Sequence, residues 1–193
     1  WPSRARLIAV CSLAAFALLL GLTVLAEYIF GWDFGIDRLF AQERIPQSQL
    51  YLGRPSPQSA LSFSLLGASL LLLQRSRAPI QAAQIGALLI LANALIALTG
   101  YVFGFGALYR FPAAAPHTGM SIPTSLAFAF IAVAVIFSRP SEGVMALLTS
   151  DSVSAAIARR IALILVVGWP VVGGLTLIGT GAGWYDLSVQ VTL

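Results

Sequence analysis

The stretch LIAVCSLAAFALLLGLTVLAEYIF, residues 7–30, carries a single formal charge, at Glu27, and is preceded by Arg4 and Arg6. About 20 apolar residues, in a helix rising roughly 1.5 Å per residue, bridge the hydrocarbon core of a bilayer. The run is too long for the apolar region of a secretory signal, and no small-x-small cleavage site precedes Glu27. It therefore reads as a retained spanning helix. Further apolar runs follow at about 59–73, 83–103, 122–137 and 161–180. The second and fourth runs of the series reach spanning length only with their polar Ser and Thr ends. Residues 187–193 turn apolar again, which reads as the start of a sixth helix. The expected fold is all-α and integral to a membrane. It is one polytopic bundle of five full spans plus the start of a sixth, a single domain over 1–193.

Composition supports that reading. Apolar residues make up 59% of the chain and charged residues 9%, against about 25% charged in soluble domains. All eleven basic residues are Arg. They are scattered between apolar segments rather than clustered, which argues against nucleic-acid binding and for contacts to lipid headgroups. Without Lys there is no Schiff-base cofactor, so retinal is excluded. Cys11, the only cysteine, lies in the first apolar run and reads as a small hydrophobe.

Orientation follows from the short connections. With the N-terminus cytoplasmic, Arg4, Arg6, Arg75, Arg77, Arg139, Arg159 and Arg160 lie inside, and Arg38, Arg44, Arg54 and Arg110 outside. The tight turn holding Arg75 and Arg77 weighs most. The outer loops are then 31–58 and 104–121. In the first, Gly53-Arg54-Pro55-Ser56-Pro57 should be extended. The inner segment 140–158 is too polar to span. Val144, Leu147 and Leu148 predict a short interfacial helix there, and Asp151 or Ser152 can cap the next helix.

A repeat is visible. Tyr28-Ile29-Phe30-Gly31 matches Tyr101-Val102-Phe103-Gly104, and Ser56-Pro57-Gln58-Ser59-Ala60-Leu61-Ser62-Phe63 resembles Ser121-Ile122-Pro123-Thr124-Ser125-Leu126-Ala127-Phe128. The first two spans read as a unit echoed, in the same topology, by the next two.

Polar residues at membrane depth are Glu27, Gln81, Gln84, Asn93 and Thr99. Asn93 is the deepest, and its ordinary role is an interhelical hydrogen bond. Glu27 lies within reach of headgroup water, Arg38 or Arg110. The expected ligand site is a pocket at the outer leaflet lined by Trp32, Asp33, Asp37, Arg38, Tyr101, Tyr109, Arg110, His117, Trp184 and Asp186, although interfacial aromatics are also expected simply as a belt. A lipid or a quinone suits such a rim. His117 is either a pH sensor, histidine ordinarily titrating near about 6.5, or a capping side chain. One histidine provides neither bis-His haem ligation nor a chelating metal site within a protomer. No phosphate loop, HExxH or nucleophile elbow is present, and the glycines over 168–183 read as close helix packing.

Several of these segments carry a resemblance. They are Tyr-x-Phe-Gly with Gly35-Ile36-Asp37-Arg38-Leu39; Arg54-Pro55-Ser56-Pro57 before Ala60-Leu61-Ser62-Phe63; Gly100-Tyr101-Val102-Phe103-Gly104 with His117-Thr118; and Phe137-Ser138-Arg139-Pro140 with Met145-Ala146-Leu147-Leu148-Thr149-Ser150-Asp151. Together they resemble the N-terminal multi-helix membrane region of bacterial sensor histidine kinases, hybrid kinases and related diguanylate cyclases. The resemblance implies a sensory input module of a two-component or cyclic-dinucleotide system in the bacterial inner membrane, dimeric through the full-length protein. The kinase or cyclase activity would lie outside this segment. The other reading of the residues is an accessory or assembly subunit among other membrane subunits, with a transporter behind it.

Overall fold

The computed structural model describes residues 4–35, 54–74, 80–111, 115–157 and 159–160, with six further helical positions between 163 and 178. The described chain is mostly helical. Helix α1 is Arg4–Phe30, α2 Pro57–Leu73, α3 Ile80–Phe103, α4 Ile122–Phe137 and α5 Gly143–Thr149. A 3-10 turn, Gly106–Leu108, leads into an antiparallel hairpin of β1, Arg110–Phe111, and β2, Ala115–Gly119. The segment 104–121, expected to be loop throughout, therefore holds a small sheet.

Among the described residues, two helices, α1 and α3, are long and apolar enough to cross a membrane. Helices α2 and α4 have 17 and 16 residues, short of the roughly 20 that span a bilayer alone. The expected five full spans are therefore not supported: among the described residues two helices reach spanning length. Of the fifth expected span, Leu163, Ile164, Gly168, Val171, Leu175 and Ile178 are helical; its other residues and the start of a sixth helix lie outside the described residues.

Helices α2 and α4 begin alike because their sequences do. Ser56 caps α2, its Oγ accepting from Ser59 N at 3.2 Å, and Ser121 caps α4, accepting from Thr124 N at 3.4 Å. Each has a proline in the first turn, where a missing N–H costs nothing. Helices α1 and α3 also end alike. Gly31 and Gly104 follow them at φ 67° and 70°, the left-handed conformation that stops a helix and favours glycine.

The helices pack in chain order, α1 on α2, α2 on α3 and α3 on α4. The α1–α2 contact is close because small residues form it: a Cβ on Gly67 would lie 2.5 Å from both Ala14 O and Leu18 N. The buried face of α2 is Gln58, Ser59, Ala60, Ser62, Ser64, Leu66, Gly67 and Ser69. Small and polar side chains thus point inward, while Leu13, Phe16, Val102 and Phe130 point outward, Phe130 at 72% exposure. That is the reverse of a water-soluble helix. The core gathers where α2, α3 and α4 meet, around Leu66, Ile90, Phe128 and Met145. Phe63 and Phe128, matching positions in the two similar helix starts, touch edge to face at 5.0 Å.

In the segment 140–158, α5 buries Met145, with Leu148 partly buried against the core and Leu147 exposed. Ser152 is the cap, accepting from Ala155 N at 3.1 Å. Arg159 donates to Leu148 O at 2.7 Å and to Ser150 O at 3.1 Å, satisfying carbonyls at the end of α5.

Candidate functional site

Glu27 sits one turn from the end of α1 and is 2% exposed. Its Oε1 accepts a hydrogen bond from Phe34 N at 2.9 Å, so the chain folds back over the helix end. Its Oε2 faces Arg54 Nε at 3.2 Å. Arg54, also buried, lies in the extended approach to α2, and its guanidinium stands 5.5 Å over the Tyr28 ring. Asp33 Oδ1 is 3.9 Å from Arg54 Nη2 and accepts from Gly35 N at 2.9 Å. The partner of Glu27 is therefore Arg54, not Arg110; Arg38, the other expected partner, lies outside the described residues.

The pairing follows from where the helix ends lie. Tyr28 donates its hydroxyl to Pro55 O at 3.2 Å, which brings Arg54, one residue earlier, alongside Glu27. Removing one member of a buried pair strands the other charge, a cost of about 3–5 kcal/mol. Beside the pair, Trp32 stacks on Phe30 at 4.8 Å and meets Phe34 edge to face at 5.6 Å. All three rings are exposed.

A second cluster forms where α3 ends. Tyr101 stacks on Tyr109 at 4.0 Å, and Arg110 lies 5.2 Å over the outer ring of that pair. Tyr101 donates to Met120 O at 2.9 Å, immediately before the cap of α4. Gln58, in the first turn of α2, ties the two clusters together by donating Nε2 to Leu108 O at 2.8 Å. Below it, Asn93 Nδ2 donates to Gln58 O at 3.0 Å and Ser62 Oγ at 2.8 Å, the interhelical bond expected of it.

The expected rim is thus partly assembled. Asp33 joins Glu27 through Arg54, and Tyr101, Tyr109 and Arg110 form one stack. Trp32 stands on the exposed side. Asp37, Arg38, Trp184 and Asp186 lie outside the described residues, as does the His117 side chain, although its backbone belongs to β2.

A further polar center, built on one of the polar residues expected at membrane depth, lies at the opposite end. Gln84, fully buried on α3, turns Nε2 toward the carbonyl oxygens of Ile136, Arg139 and Glu142, each at 3.3 Å. Two N–H groups are shared among three acceptors. Its Oε1 accepts from Val144 N at 2.5 Å. One amide thereby joins the end of α4 to the start of α5. A glutamine inside an otherwise apolar run was the available signal, but which backbone groups it serves depends on the turn over 138–142.

No protein-family model, curated protein or solved structure matches this chain.

Proposed function

We propose that this chain is the membrane-embedded sensory input region of a bacterial signalling protein, in the inner membrane with its N-terminus cytoplasmic. It relays a change at the Glu27–Arg54 end to a cytoplasmic effector. The observation that carries the reading is a polar device at each end of one apolar bundle. The Glu27–Arg54 ion pair joins α1 to α2 at one end, and Gln84 joins α3 to α4 and α5 at the other. Helices α2 and α3 connect them and are bonded to each other through Asn93.

The membrane placement is supported by outward apolar faces and by a packed interior of Ser, Gly and Ala, the arrangement that lets helices associate when the solvent is itself apolar. In this reading α2 and α4 cross with the help of their capping turns and a fifth span leads inward, completing a multi-pass region built from a repeated two-helix unit. Membrane lipids are its solvent, and a lipid or quinone headgroup is the ligand class that fits the aromatic rim. Homodimerisation through the full-length protein would complete the signalling unit.

The test has two arms. Alkaline phosphatase fused within 36–53 should be active and a fluorescent protein fused within 75–79 should glow, as an N-inside topology requires. The complete reading frame should run on into a cytoplasmic kinase or cyclase. A frame that ends without an effector would overturn the proposal.

A further inference from the structure

The two helix pairs can be aligned residue by residue through the bonds they share. Tyr28 donates to Pro55 O, one residue before the cap Ser56, and Tyr101 donates to Met120 O, one residue before the cap Ser121. With the tyrosines equated and the caps equated, Glu27 corresponds to Gly100 and Arg54 to Gly119. The buried ion pair of the first unit thus stands where the second unit has two glycines.

What fills that space in the second unit is Tyr109. A Cβ on Gly100 would lie 2.9 Å from Tyr109 Cδ1 and 2.8 Å from Leu108 Cβ, and a Cβ on Gly119 would lie 3.2 Å from Tyr109 Cδ2. The ring is held between the two glycines, one edge toward each. The same junction is therefore built once around an aromatic ring with Arg110 lying over it, and once with a buried carboxylate and guanidinium. The second unit holds its junction without a buried ion pair, and such pairs are often replaced by apolar packing without loss in other proteins.

Among the described residues, the first unit also offers its arginine two acids. Glu27, buried, holds Arg54 Nε at 3.2 Å; Asp33, 59% exposed, stands 3.9 Å from Nη2. The carboxylates belong to one connected segment, since Glu27 Oε1 holds Phe34 N, the residue after Asp33. In this arrangement the guanidinium reaches both at once, Nε toward the inner acid and Nη2 toward the outer one.

We infer that Arg54 is a two-position latch, held inward by Glu27 and outward by Asp33, which sets the spacing between the end of α1 and the start of α2, while Tyr109 fixes the equivalent junction of α3 and α4. Its effect on output rests on the sensory reading above; the latch itself does not. Two packings of one junction that differ little in free energy are what a small signal can bias.

The experiment uses the full-length protein in liposomes. Cys11→Ser removes the native thiol, and spin labels are placed through Ile29→Cys and Leu61→Cys, both exposed positions flanking the junction. Inter-label distances are measured in this background and with Glu27→Gln, Asp33→Asn, or Glu27→Leu with Arg54→Met. Glu27→Gln should shift the distribution to longer separations, and Asp33→Asn should narrow it at the short one. The doubly neutral variant should insert at the level of the parent and give a single short distance. Unchanged distributions in both single variants, or failure of the doubly neutral protein to insert, would overturn the latch. If distances shift as described but effector output does not follow, the latch stands and the sensory reading fails.

Discussion

Gln84 and Val144, sixty residues apart in sequence, are joined by a hydrogen bond of 2.5 Å between a fully buried side chain and the first turn of a short helix. The same side chain faces three carbonyls around the end of α4, two of which, Arg139 O and Glu142 O, also accept from backbone N–H groups. Leaving a buried polar group unpaired costs about 1–3 kcal/mol. Gln84→Leu should therefore lower the thermal unfolding midpoint in detergent by several degrees. It should also expose 138–149 to limited proteolysis before the rest of the chain. Equal midpoints and equal cleavage would show that α5 docks by Met145 alone.

Asn93 donates to both Gln58 O and Ser62 Oγ, bonding α3 to α2. Interhelical hydrogen bonds in membrane proteins contribute about 0.6 kcal/mol on average and reach about 1–2 kcal/mol. Asn93→Leu should destabilise the protein within that range and Ser62→Ala by less. A double-mutant cycle read by unfolding in micelles should give a positive coupling between them. Additive losses would separate the two residues.

Glycines at two positions should respond in opposite ways to size. A Cβ at Gly67 meets the α1 backbone, whereas one at Gly31 meets nothing within 4 Å. Gly31→Ala pays only the left-handed backbone cost, roughly 1–2 kcal/mol, and should still insert and fold. Gly67→Leu should push α1 off α2 and abolish a disulfide cross-link engineered between them. Retention of that cross-link in Gly67→Leu would contradict the close packing.

The hydroxyls of Tyr28 and Tyr101 make equivalent bonds to backbone oxygens. Tyr28→Phe and Tyr101→Phe should each cost about 0.5–1.5 kcal/mol, and the losses should add because the residues belong to different helix pairs. Chemical denaturation of the two single variants and the double variant checks this.

Much of the helical framework is legible in sequence because it rests on local rules. Ser56 and Ser121 announce helix starts with proline in the first turn, Gly31 and Gly104 announce helix ends, and the apolar runs between them give element type. Asn93 reads as an interhelical donor for the same reason, since its run offers no water. What is not legible depends on pieces brought together by tertiary folding. The partner of Glu27 is set by a tyrosine bond that aligns two helix ends, which places Arg54 there rather than the equally basic Arg110. The hairpin of β1 and β2 has too few residues for an alternating pattern, and it forms because Met120 N reaches back to Tyr109 O at 2.9 Å. Gln84 reads merely as polar until the turn after α4 is known.

Phe63 and Phe128 are matching residues of the two helix pairs, and they touch one another. The pairs are nonetheless not related as two halves of a closed dimer: α2 packs on α3, and among the described residues α4 makes no comparable packing against α1. They follow one another in series, so that each junction faces its own surroundings and is free to diverge: one keeping a tyrosine, the other an acid and a base.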